Sequence, residues 1–197
     1  VDVDFTGASV RLLDTHIFKP TLESINTSYG DQPLVQAQLL QALSRSLKSL
    51  GLLTEAKGPQ TRALELRTEH LGREHELTLE SIRRMADLLW SSRNFDQVLA
   101  YEEELLEIRR RVNGNDHQKT LDEMEDVADT LGVLARYEEA EQYRLELLKL
   151  SRRKWGDEHR RTLNEMERLG ELYLKLDEYE KALPYFRSAL ETRQRIW

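Results

Sequence analysis

Apolar residues along the chain recur at intervals of three and four, the spacing that places side chains on one face of an α-helix. In one clear stretch, Leu121, Met124, Val127 and Leu131 follow this spacing. They predict a helix over residues 118–133. The polar positions between them predict that the opposite face of this helix meets solvent.

A second apolar stripe follows a break at residues 135–136. Its members are Tyr137, Ala140, Tyr143, Leu147 and Leu150. The stripe predicts a second helix over residues 138–155. Gly156 is expected to end that helix, because glycine adopts the left-handed cap conformation without steric cost. The two helices form a hairpin with an apolar face on both, and one hairpin alone cannot bury such a face.

The hairpin recurs every 42 residues (114 − 72 = 42). The columns in register include Gly30, Gly72, Gly114 and Gly156, then His75, His117 and His159, then Thr78, Thr120 and Thr162. The copies are residues 31–72, 73–114, 115–156 and 157–197. Hairpins of this kind bury their apolar faces by stacking, so the pattern predicts an all-α solenoid. An apolar pattern from Val10 to Ile25 predicts an N-terminal helical cap or linker over residues 1–30.

Two columns of small residues predict close contact between helices. They are Ser44, Ala86, Ala128 and Gly170 on the first helices and Ala56, Val98, Ala140 and Ala182 on the second helices. A column of large aromatic residues, Phe95, Tyr137 and Tyr179, is expected to fill the gap at the hairpin turn.

These columns resemble the tetratricopeptide repeat (TPR), in the 42-residue form of kinesin light chains and of bacterial multidomain signalling proteins. The resemblance rests on the Gly-x-x-His-x-x-Thr joint, as in Gly114 to Thr120, followed by the aromatic column, Ala140 and Tyr143. It implies a right-handed α-solenoid of helix-turn-helix repeats. It also implies that the first helices line a concave groove that binds a protein or peptide.

The composition of the chain excludes several classes of function. The 197 residues include no cysteine and carry a formal net charge of −7. Disulfides, thiolate metal sites and cysteine nucleophiles are therefore excluded. Because acidic residues outnumber basic ones, we predict no nucleic-acid binding, which needs a basic surface. The chain contains no run of about 20 apolar residues, so we also predict no membrane span. Because the N-terminus has neither Met nor a signal-peptide pattern, we interpret the chain as an excised fragment of a cytoplasmic protein.

Three kinds of residue invite a chemical interpretation. His75, His117 and His159 lie in equivalent positions, roughly 18–20 Å apart in a stack of helix pairs. They cannot share a metal ion, so they are expected to cap helices or to join repeats. The carboxylates of residues 102–104 and 138–139 are interpreted as a solvated outer face, and the basic runs 109–111 and 152–154 as charges that suit helix C-termini. We predict no catalytic residue, metal or cofactor, and no enzymatic activity.

Polar and aromatic residues on the first helices, away from the apolar stripe, are expected to face the concave groove. The candidate partner-binding residues are Arg45, Arg83, Asp87, Trp90, Glu125, Asp129, Glu167 and Glu171. They predict a groove that is basic or mixed at its N-terminal end and acidic at its C-terminal end. The alternative is that these charges are only solvated. Trp90 is either a binding anchor or a packing residue.

The function predicted from these features is a protein–protein interaction scaffold that binds a partner protein or peptide in the groove. The alternative is a regulatory or assembly module of a larger enzyme, such as a bacterial Ser/Thr kinase or a signalling ATPase. Trp197 and apolar neighbours at the edge of the last repeat also predict self-association.

Overall fold

The computed structural model describes residues 12–196, which contain α-helices and no β-strand. A π-helical turn over Asp14–Phe18 precedes the first α-helix. The helices within this range are Lys19–Ser28 (α1), Pro33–Ser49 (α2), Leu53–Leu71 (α3), Glu76–Ser91 (α4), Phe95–Asn113 (α5), Gln118–Val133 (α6), Tyr137–Trp155 (α7), Arg160–Lys175 (α8) and Tyr179–Ile196 (α9).

The periodic pattern located the helices well. The helix predicted over 118–133 is α6, and the one predicted over 138–155 is α7, which begins one residue earlier. Gly156 ends α7, as predicted, but its φ of 85° and ψ of 171° differ from the predicted left-handed cap conformation. They lie in an extended positive-φ region that is essentially restricted to glycine. The division into a cap over residues 1–30 and four repeats stays a prediction, and Val10 lies outside the described residues.

The chain divides into two compact units, and the first ends at Asn94. Its core lies between α2 and α3, where Leu40, Leu47, Ala56 and Ala63 are buried. The Ser44 hydroxyl donates to the Ala56 carbonyl oxygen at 2.8 Å. The two small-residue columns therefore meet in this unit, as the sequence predicted.

The second unit begins at Phe95 and contains α5 to α9. Met124, Val127 and Leu131 on α6 are fully buried, and their cluster includes Leu106 of α5 and Leu147 of α7. A neighbouring cluster joins residues of α8 and α9. The helices α6 and α8 thus bury their apolar stripes, which is what drives helix pairs of this kind together.

The aromatic residues of the column at the hairpin turn differ in how deeply they are buried. Tyr137 packs against the core of the second unit, as expected. Tyr179 is 62% exposed, and its hydroxyl donates to Asp177 Oδ1 at 2.7 Å. The expectation that this column fills the turn is therefore wrong for Tyr179.

The turn between the two helices of a repeat has a left-handed residue at the same column each time. Gly51, Arg93, Ala135 and Asp177 have φ between 56° and 77°. Only the first of them is glycine, although this region costs other residues roughly 1–2 kcal/mol.

Ala135→Gly is expected to raise the free energy of unfolding by up to about 1 kcal/mol. Glycine removes the strain of the left-handed conformation, and this gain is partly offset because a glycine backbone loses more conformational entropy on folding. Chemical denaturation followed by circular dichroism measures this change. Ala100→Gly, at an exposed position inside α5, is the matched control and should destabilise by about 1 kcal/mol. Equal losses in both variants would contradict the assigned strain.

Candidate functional site

The candidate groove residues of the first unit lie on α2 and α4. Arg45 is exposed on α2, while Arg83 and Asp87 are half-buried on α4. Lys48 donates from Nζ to the Asp87 carbonyl oxygen at 2.9 Å and so links the two helices. Trp90 is 40% exposed, so much of its indole surface is accessible within this unit. Its role as an anchor stays a prediction.

A cavity of about 370 Å³ opens beside Arg45. Its lining residues are Leu34, Val35, Gln38, Gln41, Arg45, Arg67, Leu77 and Glu80. The lining is apolar at Leu34, Val35 and Leu77, which are each about two-fifths exposed. It is polar around Gln41. A surface with exposed apolar residues beside fixed polar groups is the usual composition of a protein-binding site.

The candidate residues of the second unit lie on α6 and α8, and ion pairs engage half of them. Asp129 pairs with the buried Arg144 and with Arg168 at 3.3 Å. Glu167 pairs with Arg193 at 2.7 Å.

The other two acidic candidates, Glu125 and Glu171, make no hydrogen bond or ion pair among residues 12–196. The unpaired negative charge of these candidate residues therefore rests on Glu125 and Glu171 alone.

A column of buried arginines on the second helices was not recognised in the sequence. Arg67 is buried, and its Nη1 donates to Gln41 Oε1 at 2.7 Å and to Ser81 Oγ at 2.8 Å. Desolvation by this burial lowers the pKa of Arg67. One nitrogen of its guanidinium thus joins two first helices.

Arg109 belongs to the same column and corrects our interpretation of the basic run 109–111. It is buried rather than a solvated helix-end charge, and its Nε lies 3.7 Å from Glu123 Oε1. Arg110 pairs with Glu146 at 2.9 Å. The 42-residue interval between Arg67 and Arg109 was the available signal, since a charge that recurs in register with core positions is unusual for a solvated face.

The interpretation of the carboxylates of residues 102–104 as a solvated outer face is wrong for Glu102. Glu102 is buried, and its Oε2 accepts a hydrogen bond from Thr130 Oγ1 at 2.6 Å. It is therefore part of the packing between α5 and α6. A carboxylate can be buried in this way because a hydroxyl donor satisfies it.

Arg144 is the centre of a buried ion-pair cluster in the second unit. Its Nη1 donates to Glu165 Oε2 at 3.0 Å, and its Nη2 pairs with Asp129. Arg144 and Glu165 have side chains about 5% exposed. Burial raises the pKa of Glu165, and the charge of Arg144 acts in the opposite direction.

The repeated histidines cap helices, which confirms their predicted role. His75, His117 and His159 are the N-cap residues of α4, α6 and α8. In each case Nδ1 accepts from the backbone N–H two residues later, at 3.2 Å. In residues 12–196 no three His, Asp or Glu side chains come together in a way that could hold a metal ion.

Comparison with known families decides what kind of protein carries this arrangement. Models described as tetratricopeptide repeat match residues 37–76, 78–119 and 120–195, which together make up most of the chain. The chain belongs to the tetratricopeptide-repeat family. The predicted fold class, a helical solenoid of TPR hairpins, is thereby confirmed. TPR folds are generally non-catalytic scaffolds for protein–protein interaction, and the chain is a scaffold in this general sense.

Solved TPR structures of the kinesin-light-chain type have the same fold. A putative kinesin light chain from Podosopora anserina with nearly identical TPR-like repeats has a TM-score of 0.75 at 14% identity, over 96% of this chain and 93% of that chain. BtubC (BKLC) from P. vanneervenii has a TM-score of 0.66 at 20% identity, over 90% of this chain and 71% of that one. These likenesses show that the chain shares the fold of these TPR structures.

Nephrocystin-3 of Mus musculus is 30% identical over 91 residues, which are 46% of this chain. The chain spans 7% of the length of that relative. No helix in the described part of the chain is long and apolar enough to cross a membrane.

Proposed function

We propose that this TPR chain is not itself an enzyme and binds an extended segment of a partner protein along the groove face. We define the groove face as the eight candidate residues on α2, α4, α6 and α8. The observation that carries the proposal is the cavity beside Arg45, where exposed leucine and valine side chains adjoin fixed polar groups. Preformed helices lose little conformational entropy on binding, which favours an extended ligand.

Charge supports the same proposal. In the first unit the exposed guanidinium of Arg45 lies at the cavity, and in the second unit the carboxylates of Glu125 and Glu171 have no internal counter-ion among the described residues. The exposed cation of the first unit suits an acidic group of the partner, and the carboxylates of the second unit suit a basic group; such complementarity speeds the approach of the partner.

A charge-reversal experiment tests the groove face. Partners captured from a lysate by the chain are identified by mass spectrometry, and the affinity of the purified partner is then measured by calorimetry. Arg45→Glu with Glu171→Lys is expected to weaken this affinity about tenfold or more, because two exposed complementary charges are reversed.

The matched control is Lys57→Glu with Glu180→Lys. It makes the same changes of charge at exposed positions on the second helices α3 and α9. It should leave the affinity within about twofold, since both positions lie outside the groove face and exposed charges that do not meet the partner are screened. An equal affinity for both double variants would disprove the groove face as the binding surface.

The alternative, a regulatory or assembly module of a larger enzyme, is favoured by one observation: the matched relative is a far longer protein. In that case the bound segment belongs to the same polypeptide. The same double variant would then change the activity of the full-length protein rather than the capture of a separate partner.

Self-association through the last repeat also stays a prediction. Leu183, Leu190 and Ile196 on α9 are exposed in the structure, and Trp197 lies outside the described residues.

A further inference from the structure

The arginine column of the second helices has one exception, a serine in the third repeat, and its last member, Arg193, is partly exposed. The column contains Arg67, Arg109, Ser151 and Arg193. Each of the three arginines reaches acceptors on first helices: Arg67 contacts Gln41 and Ser81, Arg109 contacts Glu123, and Arg193 Nη2 donates to Glu167 Oε2 at 2.7 Å.

These acceptors occupy two further columns of the repeat. One column contains Gln41 and Glu167, with Arg83 in the second repeat, and the other contains Ser81 and Glu123. In the second repeat the acceptor for Arg109 is therefore Glu123, from the other column. Around Ser151, the corresponding residues are Glu125 of the third repeat and Glu165 of the fourth. Two carboxylates therefore stand where a guanidinium is bound in the other repeats, and the arginine is replaced by a serine.

A cavity marks the place of the absent arginine side chain. It measures about 130 Å³, and Glu125, Ser151 and Glu165 are among its lining residues. Since a water molecule takes about 30 Å³ of liquid volume, the cavity accommodates about four small groups. A guanidinium, with one carbon and three nitrogen atoms, is of this size.

The polar groups around this cavity still have capacity for a ligand. Ser151 is 3% exposed, and its hydroxyl makes no hydrogen bond among residues 12–196. Glu125 has no ion pair or hydrogen bond in the same range. Arg144 engages Oε2 of Glu165. A hydroxyl and a carboxylate that line one cavity without an internal hydrogen bond are groups that a ligand's donors would satisfy.

The remaining lining sets limits on what can enter. Leu121 and Leu147 are apolar, and Asn164 Oδ1 already accepts from Arg193 at 3.2 Å. Two arginines, residues 160 and 161, also line the cavity. Arg161 is neutralised by Asp122 at 2.7 Å and lies 5.4 Å from the centre of the Trp155 ring. A cation is thus favoured only if it reaches Glu125 and Ser151.

We propose that this cavity is a socket for an arginine side chain of the partner protein. The guanidinium would donate to Glu125, Ser151 and the free oxygen of Glu165, as the chain's own arginines do in the other repeats. Arginine suits the socket better than lysine, because its planar fork supplies several donors in a fixed geometry. The proposal rests on the proposed function, since Glu125 also belongs to the groove face.

The socket is tested with a peptide that contains a single arginine, acetyl-Gly-Arg-Gly-amide, titrated into ¹⁵N-labelled protein. Saturable chemical-shift changes are expected at Glu125, Ser151 and their neighbours. The same peptide with citrulline, the neutral isostere, should bind about tenfold more weakly, as charge-assisted hydrogen bonds are lost. Equal binding of the two peptides, or shifts confined to other residues, would overturn the proposal.

Two variants test the same site from the protein side. Ser151→Arg places a guanidinium in the cavity from within and should abolish the peptide-induced shifts without lowering the melting temperature. Its matched control, Ser188→Arg on the exposed side of α9, should retain them. Glu125→Gln should weaken the affinity for the peptide about tenfold. This variant provides the test if Ser151→Arg does not fold. Retained binding in Glu125→Gln would overturn the proposal.

The captured partner separates this inference from the proposed function. Loss of the partner in Ser151→Arg, with retention in Ser188→Arg, supports the socket. If the groove-face double variant loses the partner while Ser151→Arg binds it normally, the socket is wrong and the groove face stands. If the partner binds the groove-face double variant normally but is lost in Ser151→Arg, Arg45 and Glu171 do not take part in binding and the socket stands.

Discussion

Arg144→Leu is expected to lower the free energy of unfolding by about 3–5 kcal/mol. The substitution removes the cation that Glu165 pairs with at 3.0 Å, and it leaves a carboxylate whose side chain is 6% exposed. Asp129 loses one partner but keeps Arg168 at 3.3 Å. The cost arises mainly from the buried and uncompensated charge of Glu165. Urea denaturation followed by circular dichroism measures it.

The same variant should depend on pH in a defined direction. Burial raises the pKa of Glu165, and Arg144 opposes this effect in the native protein. Without Arg144 the folded-state pKa rises further above the unfolded value of about 4.3. The folded state then holds a proton that the unfolded state releases, so stability falls as pH rises between the two values. The loss caused by Arg144→Leu should be larger at about pH 8 than at about pH 5.

Two controls separate the charge effect from a loss of packing. Arg144→Leu with Glu165→Leu should recover most of the lost stability, because an apolar pair of similar volume can replace a buried ion pair. Arg152→Leu on the same helix removes an exposed ion pair with Asp157 and should cost less than about 1 kcal/mol. A double variant as unstable as Arg144→Leu alone would contradict this account.

Gly170→Ala is expected to destabilise the protein by about 1–3 kcal/mol, although alanine is the better helix former. A Cβ atom at residue 170 would lie 2.7–2.9 Å from three ring atoms of Phe186. Alanine occupies this column in the second and third repeats, as Ala86 and Ala128. The change therefore follows the repeat pattern and still clashes. Thermal or urea denaturation provides the measurement.

A second background tests the cause. In Phe186→Leu, where the ring is absent, Gly170→Ala should be neutral or stabilise by up to about 1 kcal/mol. The sign of the alanine effect thus depends on residue 186. A destabilisation of the same size in both backgrounds would show that the phenylalanine ring is not responsible.

The sequence alone predicted the helices, because their apolar stripes and their 42-residue period are both local patterns. α6 spans the predicted residues 118–133, and α7 differs by one residue at its start. The histidine caps were also predictable, since N-capping depends only on backbone groups one turn away. The groove-face residues stay a prediction, because the described structure contains no partner.

The charged residues of the second helices show where prediction from the sequence fails. Arg109 and Glu102 carry the same side chains as solvated neighbours such as Arg111 and Glu103, yet they are buried and paired. Helical spacing does not distinguish them, since the burial of a charge depends on whether another helix supplies a partner.

The 42-residue period and the apolar stripes by themselves determined that the chain is an array of helix hairpins, because each hairpin exposes an apolar face that neighbours must cover. Only the tertiary structure decided which polar side chains that covering encloses. It paired Arg144 with Glu165, placed Phe186 against Gly170, and left a cavity at Ser151 where other repeats bind an arginine. These outcomes depend on contacts between helices, which the spacing along one helix does not specify.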